Sequence, residues 1–107
     1  MNTIPYEQRV RTYNNALNRY GKDMQMIVAL EELSECQKEI CKILRGSGDL
    51  KNLAEEVADA TIMLEQIRLI FDINEDVCMA MDEKVARLDM RLAQGFRGAC
   101  GFGSTGR

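Results

Sequence analysis

The stretch 24–71, MQMIVALEELSECQKEICKILRGSGDLKNLAEEVADATIMLEQIRLIF, decides the fold. Apolar residues recur every three or four positions on both sides of one short break, the spacing of a helix that buries one face. The break is Gly46-Ser47-Gly48-Asp49, a turn whose last residue can cap the helix that follows. The spacing predicts a second helix from an Asp23 N-cap to about Arg45, and a third from an Asp49 cap to near Phe71. Upstream, Pro5 can open a first helix in which Tyr6, Val10, Tyr13, Leu17 and Tyr20 share a face until Gly21 stops it. Downstream, Asp72-Ile73-Asn74 breaks the chain again and a fourth helix is expected from about Glu75 to Ala93. Residues 95–107 hold Gly95, Gly98, Gly101, Gly103 and Gly106, so a mobile tail is expected there after an all-α domain over 1–94. No strand-like alternation and no internal repeat is present, and the expected architecture is a bundle of four helices.

Composition narrows the chemistry. With 107 residues the chain is one domain's worth of protein, and 46% hydrophobic with 29% charged residues excludes wholesale disorder. A single proline and an abundance of Leu, Ile, Met, Glu, Lys and Arg favour helix. The net charge of −3 argues against a nucleic-acid binder. There is no histidine, which removes Ser-His-Asp triads, Cys-His dyads and His-containing zinc sites together. Cys36, Cys41, Cys78 and Cys100 form no CxxC pair and read as small core hydrophobes rather than redox groups. With no leader-like run and no apolar run near the ~20 residues of a membrane span, the expected setting is a reducing cytoplasm, away from membranes.

The informative residues are carboxylates in unexpected places. Projected at ~100° per residue, Val28, Ala29, Leu33, Cys36, Ile40 and Ile43 form the apolar stripe of the second helix. Glu32 lies inside it, Glu35 along its edge and Glu39 nearby, whereas Glu31 falls on the polar side with Ser34 and Lys38. The third helix repeats the pattern. Leu53, Ala60, Met63, Leu64, Ile67 and Phe71 make its stripe, Glu56 sits near the centre, Asp59 on the edge, and Glu55 toward the polar face. Converging carboxylates against an apolar stripe repel one another and resist desolvation, so they demand a cation, a proton or a basic partner. Residues three apart share a helix face, which makes Glu32/Glu35 and Glu56/Asp59 two chelating pairs. All-oxygen donors suit Mg²⁺, or Mn²⁺ in its place, rather than zinc. On the fourth helix Lys84, Arg87 and Arg91 line one margin of a stripe of Val77, Met81, Val85, Leu88 and Leu92. A basic ridge of this kind suits a polyphosphate, although a solvated, salt-bridged face has the same sequence. The tyrosines of the first helix fit core packing with wetted hydroxyls better than stacking on a base.

Glu32-Leu-Ser-Glu35, twenty intervening residues and Glu56-Val-Ala-Asp59 together resemble the ExxE…ExxD signature of the MazG-like, all-α nucleoside triphosphate pyrophosphohydrolases. The flanks Ala29-Leu30-Glu31-Glu32-Leu33-Ser34-Glu35 and Leu53-Ala54-Glu55-Glu56-Val57-Ala58-Asp59-Ala60 are similar too, as is the later Asp82-Glu83-Lys84-Val85-Ala86-Arg87-Leu88, so that the likeness spans about residues 22–92. The resemblance implies a four-helix fold assembled as a homodimer or homotetramer. It also implies Mg²⁺ held by Glu32, Glu35, Glu56 and Asp59, and phosphate contacts from Lys84 and Arg87, with Arg91 able to replace either. The implied reaction is hydrolysis of a nucleoside or deoxynucleoside triphosphate between its α and β phosphates, giving monophosphate and pyrophosphate. Glu35 or Glu31 would take the proton from the attacking water, and helical phase favours Glu35. Phosphoribosyl-ATP pyrophosphohydrolase is the alternative within the same resemblance, and a non-catalytic helical oligomerisation module is the alternative from a different class.

Overall fold

The computed structural model describes residues 3–95; the Gly-rich segment from 96 onward, where most of the expected tail falls, lies outside the described residues. The described chain is all-α, with four helices and no strand among the described residues: α1 (Tyr6–Tyr20), α2 (Lys22–Leu44), α3 (Leu50–Ile70) and α4 (Asn74–Ala93). It divides into two compact units, Met1–Asp72 with α1 to α3, and Ile73–Arg107 with α4.

The first unit is built on the α2–α3 hairpin. A five-residue connection, 45–49, reverses the chain, and Gly48 lets it close tightly. A Cβ there would lie 2.6 Å from Ile43 Cδ1 and 2.8 Å from the Ile43 backbone nitrogen, so no side chain fits. Asp49 caps α3 as its sequence suggests, its carboxylate accepting from the Lys51 backbone N–H at 2.8 Å. Asp23 is not the N-cap of α2. Gly21, at φ 87° and ψ 152°, both ends α1 and starts α2, a backbone geometry closed to most L-residues. Asp23 instead lies in the first turn, where its charge favours the helix dipole.

The seam between α2 and α3 runs along Gln25, Ala29, Glu32, Cys36, Glu39 and Ile43 on one side and Leu53, Glu56, Ala60, Met63 and Gln66 on the other, all buried or half-buried. The expected stripe is therefore rotated. Leu33 and Ile40, read as inward-facing, are 38% and 47% exposed, and Glu39 is 8% exposed in their stead. Leu64 of α3 and Phe71, its C-cap, are likewise exposed. The apolar band of each helix is wider than the contact, and the partner helix selects which part of it is covered. On α2 every second seam residue, seven apart along the chain, is polar: Gln25, Glu32 and Glu39. Gln25 resolves its burial by donating to the Gln66 side chain at 2.8 Å. α1 joins the unit through buried Tyr13, whose hydroxyl donates to Glu65 of α3, with Arg9 3.5 Å from the same carboxylate. Among the cysteines, Cys36 is half-buried in the seam, Cys41 and Cys78 are exposed rather than core, and Cys100 lies outside the described residues.

The second unit is described by itself. α4 is amphipathic, with Glu75 and Asp76 in its first turn and Arg91 in its last, matching the dipole at both ends. None of its residues is buried, and Val85, Leu88 and Leu92 are exposed.

Candidate metal centre

α2 and α3 each contribute carboxylates midway along the seam because the same helical phase puts Glu32 on one side and Glu56 on the other. One oxygen of each of Glu32, Glu56 and Asp59 lies within 4.8 Å of the others. Glu32 and Glu56 are half-buried and Asp59 is exposed, so the cluster is open to solvent on the Asp59 side. Buried Glu56 Oε1 has no hydrogen-bond partner. Glu56 consequently has its pKa raised, first by burial and then by the charges of Asp59, Glu32, Glu35 and Glu39. A cation in their midst would reverse both causes. The donors are all hard oxygens, one of them orphaned, which fits Mg²⁺ or Mn²⁺.

Glu35, expected as a fourth ligand, stands outside the 4.8 Å set. It is exposed and 3.7 Å from Lys38, yet near enough for its charge to act on Glu56. Glu31 is exposed on the outer face, as its phase requires. Lys84, Arg87 and Arg91 are exposed on successive turns of one face of α4, within the second unit. Inside the first unit, the cations beside the carboxylates come from α2 itself. Lys38 and Lys42 pair with Glu35 and Glu39, and with Arg45 they line a shallow groove of about 320 Å³ on the outside of that helix.

Two features escaped the sequence reading. Glu39 is buried, holding Lys42 at 3.1 Å through Oε2 while its Oε1 has no partner. Its register one heptad after Glu32 was the available signal, masked by the apolar residues around it. A cleft of about 520 Å³ also opens between α1 and α3, walled by Ile4, Tyr13, Ala16, Ala58 and Ile62 with Glu65 at its polar side. Tyr13 packs as its helical spacing predicts; its partner Glu65 carries no sequence signal, because the pairing joins positions fifty-two residues apart. The cleft begins within one helical turn of Asp59 along α3.

Compared with models of protein families, with curated proteins and with solved structures, the chain matches none.

Proposed function

We propose that the protein is a Mg²⁺-dependent pyrophosphohydrolase that cleaves nucleoside or deoxynucleoside triphosphates between the α and β phosphates. The observation that carries this reading is the Glu32–Glu56–Asp59 cluster at the α2–α3 seam, with a buried, orphaned oxygen on Glu56. The two ExxE-type words that supply it add their MazG-like spacing. Glu32, Glu56 and Asp59 would hold the metal, with Glu35 joining them by a rotamer change that gives up Lys38. Bound there, Mg²⁺ supplies charge neutralisation for a triphosphate and makes a water more acidic.

The chain's own residues supply the rest. Glu35 accepts the proton of a water that attacks the α-phosphorus; Glu31, on the outer face of α2, is turned away from the cluster. The new P–O bond forms as the bond from the α-phosphorus to the bridging oxygen breaks, and the electron pair leaves with pyrophosphate. Lys84, Arg87 and Arg91 would meet phosphate charge, the role the resemblance implies for them. The α1–α3 cleft is apolar with polar edges, a composition suited to a nucleoside beside the phosphates. Assembly as a homodimer or homotetramer belongs to this reading, and it is supported by exposed Leu30, Leu44, Val57 and Leu64 in the first unit and Leu88 and Leu92 in the second.

A non-catalytic helical module is favoured by the same exposed apolar residues and by the lysines that already neutralise Glu35 and Glu39. One assay separates the two. Pyrophosphate and monophosphate are measured from a panel of ribo- and deoxyribonucleoside triphosphates, with Mg²⁺ and with EDTA. Equimolar, metal-dependent products are expected; no turnover on any member would overturn the enzyme reading.

A further inference from the structure

The first-unit carboxylates are not exhausted by the triad. Glu39 lies 8% exposed in the same heptad row as Gln25 and Glu32, facing α3. Gln25 has its amide partner across the seam, and Glu32 has Glu56 and Asp59 within 4.8 Å. Glu39 has one oxygen on Lys42, whereas the other, Oε1, is buried without a partner. Across the seam Glu56 presents a second buried oxygen in the same condition. Two orphaned carboxylate oxygens on facing helices are costly, because each has given up water and gained nothing. They repel one another as well, the Glu39 charge being among those that act on Glu56. Glu39 is outside the 4.8 Å set, so a cation at the triad alone would leave its oxygen unsatisfied.

Resting on the metal-dependent reading above, we propose that Glu39 is a further metal ligand: it and Glu56 hold a second divalent cation deeper in the seam, and in its absence the Lys42 ammonium stands in for that charge. The ligand class is a hard divalent cation, Mg²⁺ or Mn²⁺, since the donors are carboxylate oxygens only. Lys42 is half-buried and tethered one turn away, so it can swing outward into the groove with Lys38 and Arg45 when the cation enters. Glu56 would then be shared between the two positions, and a second cation would add charge neutralisation beside the first.

The test uses Mn²⁺ alone with the full chain, counting bound ions by equilibrium dialysis and by the loss of free-ion paramagnetic resonance. Wild type is expected to bind two ions per chain, one more weakly. Glu39→Gln should bind one, or bind the weaker ion at least about tenfold less tightly. Lys42→Met keeps Glu39 and serves if Glu39→Gln fails to fold; it should tighten the weaker site about tenfold by removing the competing cation, an effect the size of a lost ligand-shell contact. Lys22→Met, about 15 Å along the same helix from Glu32 and about 25 Å from Glu39, changes net charge equally and should leave both sites unmoved. A single ion per chain with the same affinity in wild type and Glu39→Gln overturns this proposal and leaves the metal-dependent reading standing. An unchanged weaker site in Lys42→Met also overturns it. No Mn²⁺ binding by wild type removes both.

Discussion

Mg²⁺ should raise the thermal midpoint of this protein, and Glu56→Gln should abolish the rise. Three carboxylates with oxygens within 4.8 Å of one another are a standing source of repulsion, and Glu56 has its pKa raised, first by burial and then by these charges. A carboxyl whose folded pKa lies above its unfolded value stabilises the fold in full at pH below the unfolded value. That contribution is lost as pH rises through the folded value. At neutral pH the metal-free protein therefore sits at the penalised end, and a bound divalent ion takes the proton's place. An ion that binds only the folded state, at a hundredfold excess over its dissociation constant, adds about 2.7 kcal/mol. In a chain of this length each kcal/mol moves the midpoint by roughly 4–8 °C, so the expected rise is roughly 10–20 °C. The assay is helical circular dichroism during heating, titrated with Mg²⁺ and compared with EDTA, for wild type and Glu56→Gln. The variant should melt no lower than wild type in EDTA, should gain little from Mg²⁺, and should lose any advantage below the carboxylate range. A wild-type midpoint indifferent to Mg²⁺, or a Glu56→Gln midpoint that rises as far as wild type's, would refute the reasoning.

Two further substitutions probe the scaffold. Tyr13→Phe removes the hydroxyl that holds Glu65 and should cost about 1.5–3 kcal/mol by urea unfolding at neutral pH. The Tyr13 pKa is pushed up to about 12, chiefly by burial and then by Glu65, so its contribution should be complete below pH 10, wane as pH rises toward 12, and bring the two proteins' stabilities together there; a constant difference across that window would exclude the contact. Gln66→Leu strands the Gln25 amide in the seam and should destabilise by about 1–3 kcal/mol, whereas the double replacement of Gln25 and Gln66 by leucine should recover most of the loss; equal losses in single and double variants would contradict a pairwise role.

The helices were legible because their signals are local. Apolar spacing, the glycines at 21, 46 and 48 and the Asp49 cap each act within a few residues, and the observed boundaries follow them closely. The convergence of Glu32, Glu56 and Asp59 was legible for a related reason: a short turn between two long helices forces them antiparallel, and equal phase then brings their mid-points together. Glu35 stands apart from that set because a position on the edge of a stripe has a rotamer choice, and Lys38 offers it a partner on its own helix.

The four helices among the described residues, and their ends to within a residue or two, follow from backbone geometry and from periodicity along one chain. Only the tertiary structure decided which edge of each broad apolar band is covered. Nothing within a single helix distinguishes Leu33 and Ile40 from the positions beside them; the partner helix covers a narrower strip, and it is contact across the seam that buries Glu39 and leaves those two residues in water. The Tyr13–Glu65 bond, the α1–α3 cleft and the orphaned oxygens of Glu39 and Glu56 arise in the same way, from atoms far apart in sequence that acquire their environment only when the helices meet.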